Sequence, residues 1–123
     1  MRAWTDDELD RIGAAQELEI APVRRNGDLR TPTTIWAVRA GGELYVRAAY
    51  GPSTGWHRVA RRSGSGHIAA GGVERDVTIE AADAGTYHAV DAAYRAKYGH
   101  YAGIVDGITN EQARATTLRL RPR

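Results

Sequence analysis

Ten residues between Arg30 and Arg62 have the types and spacing to hold a planar ligand that carries a phosphate: Arg30, Thr31, Thr33, Trp36, Arg47, Tyr50, Trp56, Arg58, Arg61 and Arg62. Trp36 and Tyr50 offer flat apolar walls to an aromatic ring system. The guanidinium of Arg58 and those of its neighbours make forked, charge-assisted hydrogen bonds that neutralise a phosphate. Trp56 opens a short helix after the loop Gly51-Pro52-Ser53-Thr54-Gly55, and the free N–H groups at such a start attract an anion. Each residue also has a purely structural reading. Trp36 suits a core position, Arg39 and Arg47 suit cross-strand pairs with Glu43, and Arg61-Arg62 suits a solvated helix end.

Other chemistries find less support. The chain has no cysteine, which excludes disulfides, thiolate metal sites and cysteine nucleophiles. His57, His67, His88 and His100 are scattered, so no metal site is expected. His88 and Asp91 stand three apart on an expected helix, where a surface hydrogen bond accounts for them. Ser53, Ser63 and Ser65 occupy glycine-rich loops without a nucleophile elbow. Gly64-Ser65-Gly66 leads into a strand, whereas a dinucleotide fingerprint opens a helix. Asp6, Asp7, Glu8 and Asp10 crowd a helix start, where the macrodipole explains them. Lys97 is the one lysine, and the chain has no Phe but six Tyr, whose hydroxyls need partners when buried.

The elements that must position these residues can be read from local signals. Thr5 and Glu8 form a capping box for a helix ending near Gly13. Glu17 to Ala21 alternates as a half-buried strand, and Asn26-Gly27-Asp28 turns the chain. Arg30 to Ala40 and Glu43 to Gly51 form a hairpin about Gly41-Gly42. A short helix follows over about Trp56 to Arg62. A second hairpin pairs His67 to Ala70 with Val73 to Glu80 about Gly71-Gly72. Asp83 is placed to cap a helix that runs to about Tyr98 and stops at Gly99. Tyr87, Val90, Tyr94 and Tyr98 form its core-facing seam, Asn110 caps a last short turn, and Thr116 to Arg121 is a closing strand.

Six strands with short connections predict a mainly β (α+β) fold, a six-stranded antiparallel barrel or coiled sheet flanked by short helices. With 123 residues, 42% hydrophobic and 26% charged, one domain over 1–123 is expected. The net charge of +2 gives little support for nucleic-acid binding. No apolar stretch is long enough to span a membrane, so a cytoplasmic protein is expected.

Five segments together resemble a small bacterial family of unknown function, related to the FMN- and deazaflavin-binding split-barrel (pyridoxamine 5'-phosphate oxidase-like) superfamily. They are Gly27 to Trp36, Leu44 to Arg47, Gly51 with Gly55-Trp56, Ala70 to Val77, and Ala115 to Leu120. The resemblance implies a six-stranded split β-barrel, a homodimer, and a flavin (FMN) or deazaflavin in a groove between subunits. The strand matching Thr33 to Val38 would lie along the ring system. Arg47, Tyr50, Trp56 and Arg58 would be the remaining contacts. Cofactor-binding members commonly carry a lysine near the place of Trp56, and this chain does not, so Trp56 either stacks on the ring or fills the groove. The implied function is a flavin- or deazaflavin-binding oxidoreductase acting on a small substrate. The alternative is a ligand-binding or interaction protein with the same barrel and no redox cofactor.

Overall fold

The computed structural model describes residues 3–49, 51 and 54–123. In chain order the elements are α1 (Asp6–Ala14), β1 (Leu18–Pro22), β2 (Thr33–Ile35), β3 (Ala37–Ala40), β4 (Glu43–Val46), α2 (Gly55–Ser63), β5 (Ser65–Ala70) and β6 (Val73–Ala81). A 3₁₀ turn (Ala84–Thr86) then leads into α3 (Tyr87–Tyr98), α4 (Ala102–Thr109), α5 (Glu111–Arg114) and β7 (Leu118–Pro122).

The strands form one antiparallel sheet in the order β2-β1-β5-β6-β7-β4-β3. Its two outer strands, β2 and β3, are consecutive in the chain and separated only by Trp36. The sheet therefore curls until its edges meet along one covalent strand run, and this closes a barrel with a seam. The expected six strands are seven for this reason: the run from Arg30 to Ala40 pairs with β1 before Trp36 and with β4 after it. Nothing local interrupts that run. Barrel closure does.

The hairpin turns follow from glycine. Ala70 pairs with Val73 across Gly71-Gly72, both at positive φ, as a two-residue type I′ turn requires. A Cβ on Gly71 would also stand 2.2 Å from the Arg11 carbonyl oxygen, so α1 can sit directly on this turn. The capping box forms as read, with the Thr5 hydroxyl accepting from the Glu8 N–H at 3.1 Å and the Glu8 carboxylate accepting from the Thr5 N–H at 3.0 Å. Leu9 and Ile12 of α1 join Leu18, Ile20, Leu44, Val46, Ile68, Val77, Leu118 and Leu120 in the barrel core.

A second core lies outside the barrel, where α3 and α4 cover β3 and β4. Val38 and Tyr45 alternate outward from those strands to meet Val90, Tyr94, Tyr98, Val105 and Ile108. Here side chains of α3 donate to carbonyls at the kink and beside it. Tyr94 donates to the Trp36 carbonyl at 2.8 Å, and Lys97 donates to the Ala37 carbonyl at 2.7 Å. Tyr98 donates to the Gln16 carbonyl at 2.9 Å and stacks its ring on Trp36, 3.9 Å between centroids and 2° from parallel.

Several expectations need correction. β4 ends at Val46 rather than continuing to Gly51, because the Ala48 N–H is taken by the Thr116 hydroxyl at 2.9 Å instead of a strand partner. Asp83 makes no side-chain capping bond; α3 does end at Tyr98 with Gly99 as its C-cap, as expected, but Gly99 keeps a helical φ of −58° there. Helix α4 was not expected, whereas Asn110 caps α5 as read, accepting from the Ala113 N–H at 2.8 Å. Among the described residues no helix is long and apolar enough to cross a membrane.

On the second hairpin, His67 lies between Asp76, at 2.9 Å, and Glu74, at 3.2 Å. The hydrogen bond with Asp76, supported by Glu74, outweighs partial desolvation and raises its pKa. A raised folded-state pKa contributes stability in full below the ordinary value, roughly 6.5, and the contribution fades as pH rises through the raised value. The urea midpoint of wild type should therefore exceed that of His67→Ala more at pH 5.5 than at pH 9. A gap independent of pH would show that the imidazolium contributes nothing.

Candidate functional site

A cleft of about 300 Å³ opens where the barrel seam meets α4. Thr33, Thr34, Ile35 and Trp36 supply the seam side. Ala49, Thr54 and Trp56 come from the segment entering α2, Ile104 and Ile108 from α4, and Arg47 completes the lining. The lining is mostly apolar, with threonine hydroxyls and one guanidinium placed in it, as small-molecule sites commonly are.

Of the residues singled out in the sequence, Thr33, Trp36, Arg47 and Trp56 converge on this cleft. Tyr50 lies outside the described residues. Arg58 is exposed on the first turn of α2 and does not line the cleft. Trp56 is 4% exposed and belongs to the barrel core, so it bounds the cleft rather than filling it. Trp36 has one face against Tyr98, and Tyr101 tilts toward it at 5.5 Å.

Arg47 is buried, with its donors largely committed. Nε donates to the Thr117 hydroxyl at 2.8 Å, Nη1 to Asp91 and to the Ile108 carbonyl at 3.0 Å, and Nη2 to the Tyr87 carbonyl at 3.1 Å. Among the described residues these bonds use four of the five N–H donors of the guanidinium. Its partner Asp91 is 1% exposed and also receives Arg114 at 2.8 Å, which corrects the surface hydrogen bond expected between His88 and Asp91. Burial alone would raise the Asp91 carboxyl, but the hydrogen bonds from Arg114 and Arg47 hold it below its usual range. Arg39, expected to pair with Glu43, reaches Asp10 on α1 instead, and Glu43 faces Arg121 and Arg119 on β7.

Sequence reasoning missed the α4 wall. Its apolar run Ala102-Gly103-Ile104-Val105 was the available signal, masked by Gly103 and Gly107. Arg30 also takes a more specific place than its membership of the basic cluster suggested. It donates to the Thr33 hydroxyl at 2.9 Å, and its Nη2 lies 2.8 Å from where a Cβ on Gly55 would stand. A guanidinium is thus held beside the first residue of α2. The Thr54 side chain does not cap that helix but donates to the Gly51 carbonyl at 2.8 Å.

A family profile described as "Uncharacterized protein conserved in bacteria (DUF2255)" matches residues 8–120. The chain belongs to this family. No curated protein matches the DUF2255 chain. Several solved structures share its fold. The heme storage protein HutZ from Vibrio cholerae is 15% identical at a TM-score of 0.66, over 100% of this chain and 92% of that one. An FAD-binding protein from Mesorhizobium loti is 14% identical at 0.55, over 98% and 90%. An F420 reductase is 14% identical at 0.53, over 93% and 91%. At these identities the likeness establishes a split barrel for the DUF2255 chain.

Removing one partner of a buried charge pair leaves the other uncompensated. Asp91→Ala should therefore destabilise the fold by about 3–5 kcal/mol in chemical denaturation. Arg114→Ala, whose side chain is 40% exposed, should cost less than about 1 kcal/mol. Equal losses would show that Arg47 does not depend on Asp91.

Proposed function

We propose that the protein is a homodimeric split barrel whose seam cleft binds a flavin (FMN) or a deazaflavin. The observation that carries this reading is the convergence of seam and α4 on one cleft, with Thr33, Trp36 and Trp56 in its lining and Arg30 at the adjoining start of α2. In this reading Thr33, Trp36 and Trp56 bound the ring system. Arg30 and the first-turn N–H groups of α2 take the phosphate, with Arg58, exposed on the same turn, reaching it from the rim and Arg47 beside them.

The cleft is at the small end for a ligand site, so one copy covers only part of a flavin. A second copy would close the open side, where Ile104 is 53% and Tyr101 40% exposed. The bound cofactor would supply hydride or electron transfer to a small substrate. The protein's own residues bind, orient and exclude water, since the described lining holds no carboxylate or imidazole to act as acid or base.

The heme-storing neighbour raises a second ligand class. Among the described lining residues there is no His, Cys, Met or Tyr to ligate a porphyrin iron, and the guanidinium held beside the start of α2 favours a ligand with a phosphate tail.

FMN, FAD and F420 titrated into the purified protein test the proposal. At least one should raise the melting temperature and change its own fluorescence on binding. Arg30→Ala and Arg58→Ala should each weaken FMN binding about tenfold or more, the worth of a charge-assisted hydrogen bond, and leave riboflavin nearly unaffected. If none of the three cofactors binds, the barrel serves as a ligand-binding or interaction protein without redox chemistry. If FMN binds no better than riboflavin, the arginines are not a phosphate site.

A further inference from the structure

Lys97 stands in a second cleft, of about 280 Å³, that shares no lining residue with the first. Gly13 from α1, Val38 and Arg39 from β3, and Ala93 and Ala96 from α3 make up the rest of its lining. The small side chains of Gly13, Ala93 and Ala96 leave the room. Lys97 is the one lysine in the chain, so it is the one amine side chain the protein has.

Its surroundings are unusual for a lysine. Nζ donates to the Ala37 carbonyl at 2.7 Å and lies 5.0 Å from the Tyr98 ring centroid. Among the described residues no carboxylate pairs with it, and burial alone pushes its pKa down to about 8. The charged and titratable groups around it are few. Arg39 pairs with Asp10 of α1, Tyr98 is a phenol whose own pKa burial raises, and Glu17 acts on Tyr98. Arg39 commits only Nη1, to Asp10 at 2.8 Å, and its Nε and Nη2 have no partner among the described residues.

We propose that this second cleft captures a small anionic carbonyl compound, an aldehyde acid or keto acid, whose carbonyl carbon Lys97 binds as an imine while Arg39 holds its carboxylate. The amine lone pair attacks the carbonyl carbon and a C–N bond forms. The former carbonyl oxygen takes up two protons, in net terms those of the amine, and leaves as water. Amine and carbonyl thus give imine and water, with no oxidant or reductant. A neutral amine makes the attack possible, and an arginine could not replace it, because its guanidinium keeps its proton.

Glyoxylate and sodium cyanoborohydride test this on the full chain, with Nα-acetyllysine in the same tube as reference and the mass of the Lys97 peptide as readout. At pH 7.5 Lys97 should be alkylated at least about tenfold faster than the reference, because far more of it is unprotonated. Normalised to that reference, Lys97 should favour glyoxylate over glycolaldehyde by at least threefold, and Arg39→Gln should abolish the preference. Parity with the reference, or equal rates for the two aldehydes in wild type, would overturn the proposal. A preference that survives in Arg39→Gln would overturn the carboxylate site. None of these readouts depends on a flavin, so they stand or fall apart from the first cleft.

Discussion

The placement of the candidate site depends on one buried guanidinium. Arg47 follows the last residue of β4 and ties three segments to it: α3 through Asp91 and Tyr87, the end of α4 at Ile108, and Thr117 at the entry to β7. A buried ion pair contributes little net stability, because desolvating two charges offsets most of their attraction. What it contributes here is position. Helix α4 contains Gly103 and Gly107 and still forms a wall of the cleft. Its inward face is set by burial of Val105 and Ile108 and by the bond from Arg47 to the Ile108 carbonyl. The planar fork of arginine suits this task, since it meets a carboxylate, a hydroxyl and two carbonyls in fixed directions.

The second constraint is closure at Trp36. A strand that changes partners must leave its sheet hydrogen bonds at the crossing, and buried carbonyls without partners are costly. Helix α3 supplies those partners: Tyr94 donates to the Trp36 carbonyl, and Lys97, with a longer bond from Tyr98, donates to the Ala37 carbonyl. At Tyr94 and Tyr98 phenylalanine could fill the same volume but could not donate to these carbonyls. The same crossing puts Thr33 to Trp36 on the lip of the cleft, so the break that defines the barrel also defines the site.

Much of this was legible in the sequence where the signal is local. Gly41-Gly42 and Gly71-Gly72 announce their hairpins, Thr5 and Glu8 announce α1, and Asn110 announces α5. What depends on distant partners was not. No residue near Trp36 marks a strand break, because the break comes from the far edge of the sheet arriving there. Helix α4 lacks propensity at two glycines and is held by contacts with α3 and Arg47. Arg47 reads as an exposed strand residue until Asp91, 44 positions away, is brought to it. For the site, residue type and order were enough to gather Thr33, Trp36, Arg47 and Trp56. They could not show that Arg58 faces solvent on α2 while Arg30 lies against the helix start.

Arg47 and Lys97 show two responses to desolvation. Arg47 is buried against α3, and Lys97, in the last turn of that helix, is half-buried. Arginine cannot release its proton in a protein, so a buried guanidinium must recruit a counter-charge, and Asp91 is held ionised for that purpose. A lysine under the same pressure has another way out, since burial favours the neutral amine. Among the described residues Lys97 has no carboxylate partner; it has a lowered pKa and makes its hydrogen bond to an uncharged carbonyl. Arginine at that position would keep its proton whatever its surroundings. Of the chain's basic side chains, its single lysine is the one that can present a neutral amine.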